Sequence, residues 1–289
     1  MKAPGEKQII QIIVTSYCDL ACSNCTQLIG NQGTRYHMSP DNFRRAVVSL
    51  LDYPGIVGVF GGNPCLHPQF NQISAIMREL LPKERRGLWT NWLAGQDGEM
   101  IRDTYGYLNL VVHGNTEAGQ EMRAAGLSLV HGEGKMAWHS PILIALLDII
   151  PDRAERLKLI ETCDINLRWS GAIDQGPLPG IPGDNLRGWY CEVASSMARA
   201  YKLAGGIPLI PGWWAQDMRF WKSDVDFHCH RCGVPLKLKG QQDNNNTDDY
   251  SPTHGGLINL RRKSKLHTVM SGGEKVNEVT DYMRLKVGQ

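Results

Sequence analysis

Residues 8–16 (QIIQIIVTS) form a β-branched run without clear alternation, the pattern of a strand covered on both faces in a parallel sheet. Helical spacing follows over 39–51, with Ser39 suited to the N-cap and Pro40 tolerated in the first turn. Residues 56–60 read as a second strand ending in Gly61-Gly62-Asn63-Pro64, and the pattern then predicts a helix over 70–81 and strands over 87–92 and 108–113. This β-α-β-α rhythm implies an α/β fold with a parallel sheet or barrel. Over 136–147 (MAWHSPILIALL) the pattern allows a strand running into a helix, and 153–160 is helical.

After Cys163 the texture changes. Residues 164–173 alternate like an antiparallel strand, a Gly/Pro-rich turn follows (QGPLPGIPGDN), and 187–191 pair back, giving a hairpin flanked by Cys163 and Cys191. Residues 192–203 are helical, and 205–235 are irregular and aromatic, ending in His228-Cys229-His230-Arg231-Cys232. Residues 241–249 (QQDNNNTDD) predict a mobile polar loop, followed by the basic run Arg261-Arg262-Lys263-Ser264-Lys265. No internal repeat is visible.

A chain of 289 residues, 42% hydrophobic and 21% charged, is long enough to bury a large core, which excludes disorder for most of it. A formal charge of +2 gives no global argument for nucleic acid or membrane. The longest apolar stretch, 141–150, is interrupted by Asp148 and too short to span a bilayer, and the first residues lack a signal-peptide pattern, so a cytoplasmic location is expected.

In a reducing compartment eight cysteines point to metal or redox chemistry rather than disulfides. Cys18, Cys22 and Cys25 form one group; Cys229 and Cys232 pair, with Cys163 and Cys191 before them, leaving Cys65 as a small buried residue. The first spacing would also suit one buried helix face, but Asp19, Ser23 and Asn24 between the thiols fit a loop wrapped around a metal centre better. Three thiolates favour zinc or iron–sulfur, and they leave one coordination position open.

Cys18-x3-Cys22-x2-Cys25 after the first strand, with Gly61-Gly62-Asn63-Pro64 at the end of the second, resembles the paired motifs of the radical S-adenosylmethionine (SAM) superfamily. The resemblance covers roughly residues 8–160. It implies a partial (β/α)6 TIM-type barrel over residues 1–160 and a 4Fe-4S cluster on Cys18, Cys22 and Cys25 whose open iron binds SAM. Gly61, Gly62, Asn63 and Pro64 would contact the methionyl group. Asn91 and His113, at later strand ends, would line SAM, although His113 equally suits a core or rim histidine. Asn63 stands where an acidic residue is usual, and Asn24 where an aromatic is frequent. One electron from an external reductant of flavodoxin or ferredoxin type would cleave SAM to methionine and a 5'-deoxyadenosyl radical, which abstracts hydrogen from substrate.

Cys229-x2-Cys232 alone suits zinc or iron–sulfur, and His228 and His230 allow a mixed zinc knuckle. Cys163, a hairpin, Cys191, a helix and then this pair resemble the small auxiliary-cluster ("twitch") domain of some radical SAM enzymes. That implies a second 4Fe-4S cluster on Cys163, Cys191, Cys229 and Cys232 within residues 161–235. Without Cys163 as a ligand the second cluster would have an iron open to substrate. Residues 236–289 would form the polar loop and basic tail. Trp213, Trp214, Phe220, Trp221 and Phe227 read as packing for the auxiliary region, or as a stacking wall for a base or sugar. His139, Arg168 and Asp217 are pocket candidates on position alone.

The expected activity is oxidation or rearrangement of a small polar or nucleotide-like substrate. A second reading is isomerisation of a modified base in phage DNA, for which only the basic run and the tryptophans speak. A third is a non-catalytic zinc-binding interaction module, which leaves the glycine-proline motif unexplained.

Overall fold

The computed structural model describes residues 1–32, 35–130, 139–168, 170–175, 186–238 and 248–255. The basic run at 261–265, the Gly/Pro turn at 176–185 and most of the polar loop lie outside the described residues, as does the side chain of Arg168.

Strand β1 (Ile9–Thr15) is buried at all seven positions because it is flanked on both sides and covered on both faces. It pairs in parallel with β2 (Ile56–Gly61), which pairs with β3 (Arg86–Thr90) and then β4 (Tyr107–Leu110). On its other side β1 pairs in parallel with β5 (Ser170–Gln175), which turns back through antiparallel β6 (Leu186–Trp189) and β7 (Ile207–Pro208). The expected hairpin is therefore continuous with the core sheet, in the order β4-β3-β2-β1-β5-β6-β7.

Of the expected strand–helix units, four are described. Helix α1 (Pro40–Val48) starts at Ser39, whose hydroxyl accepts from Asn42 N at 3.2 Å, and α2 (Phe70–Leu80) packs against α1. Helices α3 (Gly98–Thr104) and α4 (Thr116–Ala124) are not among the expected elements; their caps, Asp97 and Asn115, are their clearest sequence sign. Beyond them lie α5 (Leu146–Ile149) and α6 (Arg153–Glu161).

Three expectations need correction. The strand predicted over 164–173 is split into α7 (Asp164–Arg168), opened by Leu167 N donating to Cys163 O at 3.0 Å, and β5, which starts only where Ser170 meets Ile9. Ile165 and Leu167 fit either period. Within 139–147 there is no strand, only a single bridge from Leu143 to Tyr250 ahead of α5. Asp248 and Asp249, read as the end of a mobile loop, are buried.

Helix α8 (Glu192–Tyr201) covers β5 and β6, and α9 (Lys222–His228) leads into the second cysteine pair. The aromatic segment packs back onto the core as well as onto the hairpin. Trp213 is fully buried, donates from Nε1 to Ser49 Oγ at 3.1 Å just past α1, and lies so close to Gly188 that a Cβ there would meet its ring at 2.2 Å. Trp214 meets Tyr53 edge-on, whereas Phe220 is exposed. Among the described residues no helix is long and apolar enough to cross a membrane.

Candidate functional site

The first cysteine group lies on the loop leaving β1, and that loop is anchored on three sides. Asn24 adopts a left-handed φ of 53°. Its backbone N–H donates to Asp248 Oδ1 at 2.7 Å, its Nδ2 donates to Asp249 Oδ2 at 2.9 Å, and its Oδ1 accepts from Asp249 N at 3.1 Å. Asn is among the residues that tolerate such a conformation best. An aromatic at position 24 could not make this double clasp, which explains the departure noted above. Beneath the loop, Arg199 pairs with Asp174 at 2.6 Å, with both side chains almost wholly buried, and reaches Gln27 O at 3.5 Å. Asp174 also accepts from the Tyr36 hydroxyl. The third anchor is Asp19, whose carboxylate accepts from Asn91 Nδ2 at 3.0 Å on both oxygens and from Asn63 Nδ2 at 3.2 Å.

The strand ends and this loop line an open-mouthed cavity of about 390 Å³, whose wall includes Cys18, Cys22, Cys25, Gly61, Gly62, Asn91 and His113. The two glycines are a steric requirement. A Cβ on Gly62 would lie 2.1 Å from Tyr17 O, and Gly61, at φ 148°, would place one 2.3 Å from Thr15 O. Gly62→Ala must push the end of β2 away from the cysteine loop. An overpacking cost of about 1–3 kcal/mol is expected, read as a lowered urea midpoint at unchanged m.

Asn63 and Pro64 do not reach the cavity wall. The Asn63 carboxamide is consumed inside the turn: besides Asp19 it donates to Trp92 O, and it accepts from Cys65 N at 3.1 Å and Thr90 Oγ1 at 2.7 Å. Of the position-only candidates, His139 lines the cavity, its Nδ1 3.1 Å from Ser23 O. Asp217 lies elsewhere, accepting from Arg219 N at a surface turn. Cys65 is buried against Thr90, outside the wall.

The wall also holds residues that the sequence reading passed over: Gln11, Gln27, Asn109, Asp164 and Glu192. Gln11 was detectable as a lone polar side chain inside the apolar β1 run. Glu192, fully enclosed, accepts from Ser170 Oγ at 2.6 Å, and that hydroxyl also lies 2.7 Å from Gln11 Oε1. Burial raises the Glu192 carboxyl above its usual range.

A second, much smaller cavity of about 20 Å³ is lined by Cys163, Cys191, Cys229 and Cys232 together. The Tyr190 hydroxyl lies 3.2 Å from Cys229 Sγ, and His228 joins the wall. His230 is turned away from it, accepting from Arg156 Nε at 3.1 Å. Ile165 and Val234 line both cavities, so this pair of apolar side chains is shared between the two sites.

Each thiol set gathers soft donors at one place, three on the wall of the larger cavity and four around the smaller one. Burial pushes Cys18 up to about 12 and Cys191 up to about 11, so without a cation these thiols stay protonated. A bound metal makes thiolates of such groups. Beside the second set Lys7 is buried, donating to the carbonyls of Tyr190 and Ser170; burial lowers its pKa, while negative charge on Cys191, Cys163, Glu192 and Cys229 would raise it. A buried ammonium with no carboxylate hydrogen-bonded to it among the described residues suits an anionic thiolate-bound centre at this place. Among the described residues no three His, Cys, Asp or Glu side chains converge closely enough for a single metal ion. Thiols around a cubane are held further apart than thiols around one ion.

No protein-family model matches the chain, and no curated protein sequence is similar to it. Among solved structures it is similar to BtrN in complex with AdoMet and 2-DOIA, at 13% identity and a TM-score of 0.48, over 80% of this chain and 89% of that one. It is also similar to Streptococcus suis SuiB bound to S-adenosylmethionine, at 16% identity and a TM-score of 0.34, over 43% of this chain and 33% of that one. SuiB bound to precursor peptide SuiA gives 17% identity and 0.34, over 43% and 32%. What carries this chain's resemblance to the radical SAM superfamily is its own pair of motifs and the one cavity in which they meet.

Proposed function

We propose that the chain is a radical SAM enzyme with two 4Fe-4S clusters, one on Cys18, Cys22 and Cys25 and one on Cys163, Cys191, Cys229 and Cys232. The observation that carries this reading is the meeting of the three-cysteine loop, the Gly61-Gly62 turn and Asn91 in one cavity, with a four-thiol pocket sharing its wall. When bound, the first cluster supplies one electron that splits SAM and yields a 5'-deoxyadenosyl radical, and the second supplies an electron acceptor.

The chain's own residues then have definite tasks. Gly61 and Gly62 bring bare backbone to the cavity, where a methionyl group can approach without a side chain intervening. Asp19, held by Asn63 and Asn91, fixes the cysteine loop against the ends of β2 and β3. Leu20, Ile29, Val111 and Ile142 give the wall an apolar share that excludes water, which a primary carbon radical requires. The thin Ile165 and Val234 partition suits loss of an electron from a substrate radical, so oxidation is favoured over rearrangement. A flavodoxin- or ferredoxin-like protein would serve as reductant.

Metal analysis tests the reading against a zinc-binding module. Anaerobically reconstituted protein is expected to be brown, with about eight irons and a matching amount of sulfide per chain. Colourless protein holding stoichiometric zinc contradicts it.

A further inference from the structure

Among the described residues, three of the buried side-chain polar atoms without a hydrogen-bond partner lie on the larger cavity. Gln27 is 1% exposed, lines that cavity, and among the described residues has no hydrogen-bond partner at either Nε2 or Oε1. Its backbone carbonyl is occupied by Gln32 and Arg199, so the residue is rigidly held while its carboxamide is unused. Trp89 lines the same cavity, and its buried Nε1 is also without a partner among the described residues. That indole is accommodated deliberately: a Cβ on Gly58 or on Gly87 would lie 2.5 Å from its ring. Buried donors and acceptors are ordinarily satisfied, so three orphans on one cavity point to a ligand that satisfies them.

The charges of the wall limit what that ligand is. Among the described residues the wall holds two carboxylates, Asp164 and Glu192, and no lysine or arginine. Burying a phosphate there would strip its water without supplying a guanidinium or ammonium to replace it; the basic side chains of the wall are the imidazoles of His113 and His139. A hydroxyl can both donate to and accept from a carboxamide, and an amine suits a carboxylate.

Resting on the radical SAM reading, we propose that Gln27 and Glu192 form the substrate-recognition subsite, and that the substrate is a small neutral or cationic molecule bearing hydroxyl or amino groups, not a phosphate ester or nucleotide. Glu192 is tied through Ser170 to Gln11, so the carboxylate is set in one orientation before substrate arrives. Gln27 lies two residues past Cys25, which places the recognised group beside the first cysteine set.

The test is equilibrium dialysis of holo protein with SAM against an equimolar mixture of hexoses, hexosamines and polyols together with their phosphate esters and nucleoside monophosphates. Retained members are expected to lack phosphate. Gln27→Ala should weaken their retention about tenfold or more while labelled SAM stays bound, and Gln27→Glu should shift retention toward amines. Retention of phosphate esters or nucleotides, retention of nothing, undiminished retention by Gln27→Ala, or equal loss of SAM from that variant would each overturn the proposal. Because the readout is binding, a protein that retains such ligands but forms no 5'-deoxyadenosine overturns the reaction class instead and leaves the subsite standing.

Discussion

Replacing Cys18, Cys22 and Cys25 together by alanine is expected to leave about half the iron, roughly four per chain, and to abolish formation of 5'-deoxyadenosine from SAM. The variant should still fold. Its loop remains clasped by Asp248 and Asp249 at Asn24 and by the buried Arg199–Asp174 pair, none of which involves a thiol. The remaining four thiols sit in a separate cavity, so their cluster should survive with its own spectrum. Full iron content in the triple variant would show that the first group holds no cluster.

Single alanine replacements of Cys191, Cys229 or Cys232 are expected to remove the other half of the iron and to destabilise the fold much more than the first triple does. The reason is Lys7. Without the thiolate-bound centre, Lys7 keeps two carbonyls as its hydrogen-bond partners and only the Glu192 carboxyl as a neighbouring acid in the interior. Breaking a buried charge pair from one side costs about 3–5 kcal/mol. The loss should appear as a lowered denaturant midpoint that Lys7→Met partly restores. Since Cys163 lines the same small cavity, Cys163→Ala should behave likewise. A Cys163→Ala protein with a full second cluster and an unchanged midpoint would instead mean an iron open to substrate.

The parts of the fold visible in the sequence were those with local causes. The unalternating run of β1 announced a strand covered on both faces, and Ser39-Pro40 marked where α1 starts. The cysteine loop and the Gly61-Gly62 turn were legible because their chemistry is written at fixed short spacing. Long-range causes were not legible. That β5 attaches to the free side of β1 depends on pairing between residues about 160 apart, and nothing near Ser170 encodes it. Asn24 looked like a missing aromatic because its partners, Asp248 and Asp249, lie more than 220 residues away in a polar run. Gln27 carries no sequence signal at all, and Trp89 only its place beside Asn91 at a strand end where the resemblance puts SAM-lining residues; their unpartnered atoms against a common cavity single them out.

The central claim is reductive cleavage of SAM at the site built from Cys18, Cys22, Cys25 and the Gly61-Gly62 turn. Its most direct measurement is the product analysis of SAM incubated anaerobically with the reconstituted protein and dithionite. The account predicts 5'-deoxyadenosine and methionine in equal amounts, formed slowly even without substrate and absent with Cys22→Ala. Intact SAM, or S-adenosylhomocysteine as the sole product, would contradict it.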